Sequence, residues 1–219
     1  MDYILSLLGP LGEGSLVSLQ LFFITLLLSI PLGVVLALMR LSRHRWLGLG
    51  VSGYLWLMRG TPLMLQLLFI YYALPLLPGG GIQLPDFPAA VVAFVLNYAA
   101  YFAEIFRAGI QSIDRGQIEA ARSLGLPFSR TLYHVVLPQA FRRMLPPLGN
   151  NMIALLKDTS LVSAIGLAEL AYAARTVAGA YGRYWEPYLA VALIYWLMTF
   201  VLTLGLRKLE THLGRSEQG

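Results

Sequence analysis

The sequence predicts an all-α membrane protein: five transmembrane helices, N-terminus outside, C-terminus cytoplasmic, and one long cytoplasmic loop between spans 3 and 4. Three observations carry that expectation. Of 219 residues, 58% are hydrophobic and 12% charged, and a soluble domain carries about twice that charged share. Uncharged runs reach the ~20 residues that a helix needs to cross a hydrocarbon core. The cations gather between those runs. A mean hydropathy of +0.68 argues against a water-soluble enzyme and against a disordered tail.

The first span, 16–39, is charge-free from Leu16 to Met39, with Pro31 as a kink point. It is too long for a signal-peptide core and no cation precedes it, so it is a retained helix. Trp46 to Met58 is apolar but short. It either lies at the membrane interface or runs into the second span through a break at Arg59-Gly60-Thr61-Pro62. There Thr61 is expected as N-cap, with Pro62 first in the helix. The second span, 61–77, ends at Pro78-Gly79-Gly80-Gly81, and the third covers 87–106. The fourth, 148–168, starts after Pro146-Pro147 and carries Lys157 and Asp158 through its middle. The fifth, 188–206, is closed by Arg207 and Lys208.

Charge sets the orientation. Segments 40–59 and 107–143 and the C-terminal tail hold thirteen Lys and Arg, against Arg175 and Arg183 on the opposite side. The positive-inside rule therefore leaves the N-terminus outside. It also accounts for the net charge of +5 without a nucleic-acid partner. No internal repeat is evident, and 1–219 is expected as a single transmembrane domain.

Several chemistries lack their residues. No Gly-Lys pair occurs, so there is no phosphate-binding P-loop, and no HExxH motif occurs either. Cysteine is absent, and His44, His134 and His212 are scattered near cytoplasmic segments. Neither a catalytic centre nor a metal site is expected. The aromatic groups Tyr71-Tyr72, Trp56 and Trp185 with Tyr184 and Tyr188 fit interfacial belts.

Polar groups inside spans face a cavity or a partner, because hydrocarbon penalises them. Asn97, Tyr101 and Glu104 share one face of the third span. They are candidate substrate contacts, or alternatively an intersubunit seam in which Glu104 pairs with Arg107. Lys157-Asp158-Thr159-Ser160 would spread over every face of a continuous helix. A local break or tight packing is the cheaper solution. Asp158 then suits an ammonium group and Ser160 offers a hydroxyl, unless Asp158 simply pairs with Lys157. Thr61 and Gln66 complete the candidate set, since a helix starting at Thr61 presents free N–H groups to a carboxylate.

The loop 107–146 holds the most specific pattern: Glu119-Ala120-Ala121, three residues, Gly125, nine residues, then Val135-Val136-Leu137-Pro138. Gly125 is a natural helix stop, Pro127 blocks continuation, and a second short helix is expected near Ser129. Composition alone would allow a hairpin resting on anionic lipid. The spacing instead resembles the signature loop of ABC-importer permeases, with Val135 where Ile is more usual. Arg59-Gly60-Thr61-Pro62-Leu63, the run 100–107 and Leu156-Lys157-Asp158-Thr159-Ser160-Leu161 are similar to landmarks of the polar-amino-acid branch. The resemblance covers about 15–210.

That resemblance implies a type I, binding-protein-dependent importer subunit in the bacterial plasma membrane, paired as a homodimer or with a paralogue. Two cytoplasmic ATPase subunits would bind the ATP and Mg and dock on Glu119, Ala120, Ala121 and Gly125; this chain would need no cofactor. An extracytoplasmic binding protein would deliver a polar amino acid, and two internal carboxylates favour a basic one. Glu104 and Asp158 would equally suit a gradient-driven secondary transporter, and the loop alone would suit a membrane scaffold.

Overall fold

A computed structural model describes residues 2–79 and 81–214, with side-chain environments for 7–79 and 81–212. Among the described residues every regular element is helical. The first expected span is part of a longer helix, α1 (Asp2–Leu41), which passes through both Pro10 and Pro31. Each proline removes one backbone donor, and the rest of the ladder holds the helix together.

Helix α2 (Arg45–Gly60) buries Val51 and Leu55 and bends by 103° into the next segment. That segment opens as α3 (Leu63–Leu68) and tightens through a π turn, Phe69–Ala73, and a 3₁₀ turn, Leu74–Leu76. Helix α4 (Asp86–Gln111) is the central pillar, with eleven buried residues including Phe94, Asn97, Tyr98 and Phe102. Two short helices follow in the loop after α4, α5 (Arg115–Ser123) and α6 (Phe128–Thr131). Helix α7 (Leu137–Asp158) gives way to a 3₁₀ segment, Thr159–Ile165. Then come α8 (Leu170–Tyr181) and α9 (Trp185–Gly214).

Among the described residues three helices are long and apolar enough to cross a membrane: Leu7–Leu41, Asp86–Gln111 and Trp185–His212. The bent pair Arg45–Gly60 and Leu63–Leu76 supplies a fourth if counted together. The expected fourth span, 148–168, is not one helix: its α-helical part ends at Asp158 and a tighter turn carries on. Nor does that helix begin after Pro146-Pro147. Both prolines lie inside α7. They remove the N–H groups that would reach the carbonyls of Arg142 and Arg143, yet Leu145, Leu148 and Gly149 on the same turns are buried. Tertiary packing outweighs the local break signal. The loop helix expected near Ser129 likewise merges into α7 through a π turn, Leu132–Val136.

The α1–α4 contact depends on small residues. Thr25 and Ser29 on α1 are buried, as are Ala89, Ala90, Ala93, Ala99, Ala100 and Ala103 on α4. Small side chains let two backbones approach, the usual basis of helix association in a membrane. Gly33 is the tightest point of this contact: a Cβ there would lie 2.9 Å from Phe102 Cβ and 3.1 Å from the Ala103 nitrogen. Gly33→Val should therefore cost about 1–3 kcal/mol of stability, read as a lower unfolding temperature in detergent. Gly179→Ala, whose Cβ meets nothing within 4 Å, should not. Equal unfolding temperatures for wild type and Gly33→Val would contradict this reading of the contact.

Candidate functional site

Two helix breaks meet at one turn of α4. The first lies between α2 and α3. Thr61 does not cap α3 as expected: Pro62 holds the N-cap position, and Thr61 Oγ1 donates backward to the Leu57 carbonyl at 2.8 Å. The N–H groups of Leu65 and Gln66 already donate to the Pro62 carbonyl, which leaves less of a carboxylate cradle than a start at Thr61 would. Gln66 Nε2 reaches Thr61 Oγ1 at 2.7 Å and the Met58 carbonyl at 2.9 Å. Asn97, 3% exposed, donates to the Met58 carbonyl and to Gln66 Oε1, each at 3.0 Å. Thr61, Gln66 and Asn97 thus satisfy one another and the backbone freed by the break, as a low-dielectric site requires.

The second break falls at Asp158. Here the next α4 residue, Tyr98, donates its hydroxyl to Asp158 Oδ2 at 2.7 Å. Neighbouring side chains of one helix therefore each grip one break. Lys157 is exposed and Asp158 half-buried, and Ser160 Oγ donates to the Lys157 carbonyl at 2.8 Å. Tyr101 lies on the adjoining face, its ring 6.2 Å from that of Tyr98 and under the Arg59 guanidinium at 5.7 Å. Such a stack is favourable in a partly desolvated setting.

Glu104, one turn further along, is the hub of an ion cluster. Arg40 and Arg107 both bond its carboxylate, and Arg59 approaches to 3.6 Å. The Glu104–Arg107 pair was expected from helical spacing; the contributions of Arg40 and Arg59 could not be read from it.

A third polar node lies at Glu169, which the sequence reading passed over. It is fully buried and is the N-cap of α8, accepting from the N–H groups of Ala171 and Tyr172 at 2.9 and 2.8 Å. Tyr195 donates to it at 3.0 Å and Ser18 at 3.4 Å. Thr159, first residue after the second break, stands 3.3 Å from the Tyr195 hydroxyl. Gly14 fits beneath: a Cβ there would be 2.9 Å from the Glu169 backbone. The available signal was a lone acid directly before an apolar helical run, an N-cap pattern.

The loop between α4 and α7 stops its first helix at Gly125, as expected, while its second runs on into α7. Asp114 caps α5 by accepting from the Gly116 N–H at 2.6 Å. Gly125, at φ +76°, ends it: Leu126 N–H returns to the Ala121 carbonyl and Gly125 N–H to that of Arg122. This paired closure is a Schellman motif, which needs a left-handed residue. Ala121 faces inward, whereas Glu119, Ala120 and Gly125 are exposed. Leu124, Phe128 and Tyr133 are also exposed around them. Gln139 donates to Gln117, and Arg143 bonds the Ser112 carbonyl, so α5 is braced against α7, and α7 against the end of α4.

Residues 29–215 match the family model described as binding-protein-dependent transport system inner membrane component. The chain belongs to this family. It is an inner-membrane permease subunit, and its curated relatives agree. It is 40% identical over 194 residues to the arginine transport system permease protein ArtQ of Bacillus subtilis, covering 87% of this chain and 86% of that one. Over 206 residues it is 40% identical to the probable glutamine ABC transporter permease protein GlnP of the same organism, covering 93% of each. Among solved structures it resembles an amino acid ABC transporter crystallised with histidines, at TM-score 0.87 and 39% identity, over 93% of this chain and 94% of that one.

Proposed function

We propose that the chain is the membrane-spanning subunit of an ATP-driven importer for a polar, and by preference basic, amino acid. Five crossings complete the topology, with the N-terminus outside, if α7 and its 3₁₀ extension form the fourth. Two copies, or one copy and a paralogue, pair about a two-fold axis. Two ATPase subunits bind ATP and Mg and dock on the surface around Glu119, Ala120 and Gly125, while a binding protein delivers substrate outside. ATP binding favours the outward-facing state and hydrolysis resets it.

The observation that carries this reading is Asp158 where α7 gives way to a 3₁₀ segment, bonded to Tyr98, with Tyr101 next to that tyrosine and Ser160 two residues on. Half-buried and held by a single tyrosine bond, its carboxylate has acceptor capacity for an ammonium group. Asn97, Gln66 and Thr61 fix the neighbouring break, so they position the site and line its edge. Glu104 marks its cytoplasmic end. The names of the similar proteins, which concern arginine, glutamine and other amino acids, support the substrate class.

Asp158→Asn keeps the Tyr98 bond but removes the charge. It should raise the half-saturating substrate concentration tenfold or more, since a hydrogen bond to a charged group is worth ~1.5–3 kcal/mol. Uptake of a panel of labelled amino acids into proteoliposomes holding internal ATP, with ion gradients collapsed, tests the whole reading. Persistent uptake excludes a gradient-driven carrier and a scaffold together. Unchanged affinity and uptake in Asp158→Asn would remove the carboxylate from the site.

A further inference from the structure

Between α1 and α2 the surface opens into a cavity of about 440 Å³, lined by Arg40, Ser52, Leu55, Trp56, Arg59 and Gly60. Its two arginines share the Glu104 carboxylate with Arg107. Three cations against one anion leave surplus positive charge at the cavity. Arg59 is the least committed of the three. Its nearest nitrogen stands 3.6 Å from Glu104 and its side chain is 40% exposed. That distance is beyond a hydrogen bond, so the planar fork keeps donors to offer.

The outer face of α2 adds an independent observation. Val51 and Leu55 are buried, whereas Trp46, Leu49, Trp56 and Leu57 are exposed, Trp56 at 79%. Arg43 and Arg45 are exposed at its start. An aromatic and aliphatic stripe bounded by arginines is the pattern of a helix lying in the membrane interface. Trp56 belongs to both the stripe and the cavity, so the cationic pocket opens directly onto an apolar surface. A soluble anion would meet the arginines but leave that stripe bare.

We propose that this cavity binds the phosphodiester head group of an anionic phospholipid of the inner leaflet. Arg59 and Arg40 hold the phosphate, for which the guanidinium fork is well shaped, and Trp56 packs against the glycerol and upper acyl chain. Basic pockets between helices on the cytoplasmic side suit anionic lipids for these reasons. The inference rests on the N-terminus-out topology proposed above.

The test uses the intact transporter complex in detergent, exchanged into defined lipids and weighed by native mass spectrometry. Wild type should retain phosphatidylglycerol in preference to phosphatidylcholine. Arg59→Gln and Trp56→Ala should each lower retention, the arginine variant about fivefold, from ~1 kcal/mol per cation near an anionic surface. Trp56 is exposed enough that its variant folds even if the arginine variant does not. Equal retention of the two lipids, unaltered retention in Trp56→Ala, or displacement by millimolar inorganic phosphate would overturn the proposal. So would spontaneous cross-linking of Gly53→Cys between copies, which would put a second subunit over the cavity. The chain contains no cysteine, so Ser42→Cys reports topology cleanly. Labelling from the cytoplasmic side without lipid preference refutes the lipid site alone, whereas labelling from outside removes the topology and the inner-leaflet assignment with it.

Discussion

ATP-driven uptake by a Gly125→Val permease should fall at least tenfold while the protein still reaches the membrane at wild-type level. Gly125 sits at φ +76° with open space around its Cβ position, so the cost of a side chain there is conformational and not a clash. A β-branched residue in that backbone region is a severe outlier, and the left-handed form costs ordinary residues about 1–2 kcal/mol. Valine would escape by unwinding the Leu126–Ala121 and Gly125–Arg122 bonds that end α5. The exposed groups at that end, Glu119, Ala120 and Leu124, would then point elsewhere. Because α4 and α7 do not depend on this turn, insertion survives. The graded expectation is sharper: Gly125→Asn, tolerant of the left-handed region, should be mild, alanine intermediate and valine severe. Glu119→Lys should give the same loss by another route, reversing an exposed charge with the backbone intact. Substrate-stimulated ATPase and uptake, normalised to membrane abundance, decide it. Normal values for both Gly125→Val and Glu119→Lys would mean that nothing docks there.

Long apolar runs and charge spacing made much of this architecture legible. α4 and α9 contain the expected spans 87–106 and 188–206, because a membrane helix is specified mostly by what it lacks, but both run on past the charged residues, to Gln111 and Gly214. The cost of spreading four polar groups around a helix led to the expectation of a local break or tight packing at Lys157-Asp158, and α7 does change to a 3₁₀ segment after Asp158. The common face of Asn97, Tyr101 and Glu104 followed from period alone. What was hidden depends on partners distant in sequence. Pro146-Pro147 carries a local stop signal that the packing of Leu145 and Leu148 overrides. Tyr98 resembled any buried aromatic until its hydroxyl was seen on Asp158. Arg40 and Arg59 converge on Glu104 only because the α1 and α2 termini are brought to the same level of α4, which no spacing rule encodes. Thr61 misled because a threonine before a proline fits an N-cap, whereas its hydroxyl serves the preceding helix end.

Removing the Glu169 carboxylate should be the most destabilising single change in the chain. Glu169→Ala takes the acceptor from two N–H groups at the start of α8 and from the buried Ser18 hydroxyl, and leaves the Tyr195 hydroxyl with Thr159 alone. A buried group stripped of its partner costs about 1–3 kcal/mol, so losing several at once should exceed ~3 kcal/mol. The effect should be large because this residue ties α8 to α1 through Ser18 and to α9 through Tyr195, whose hydroxyl in turn stands 3.3 Å from Thr159. Glu169→Gln should fall between. Its amide oxygen accepts from one N–H, but its NH₂ must confront another donor, so the isostere recovers shape without recovering the bonding pattern. The check is thermal unfolding in detergent combined with hydrogen exchange at the Ala171 and Tyr172 amides. A lowered midpoint with faster exchange at those two amides in the order wild type, Gln, Ala is the expected result. An alanine variant with wild-type midpoint and protected amides would mean that apolar packing alone holds α8 in place.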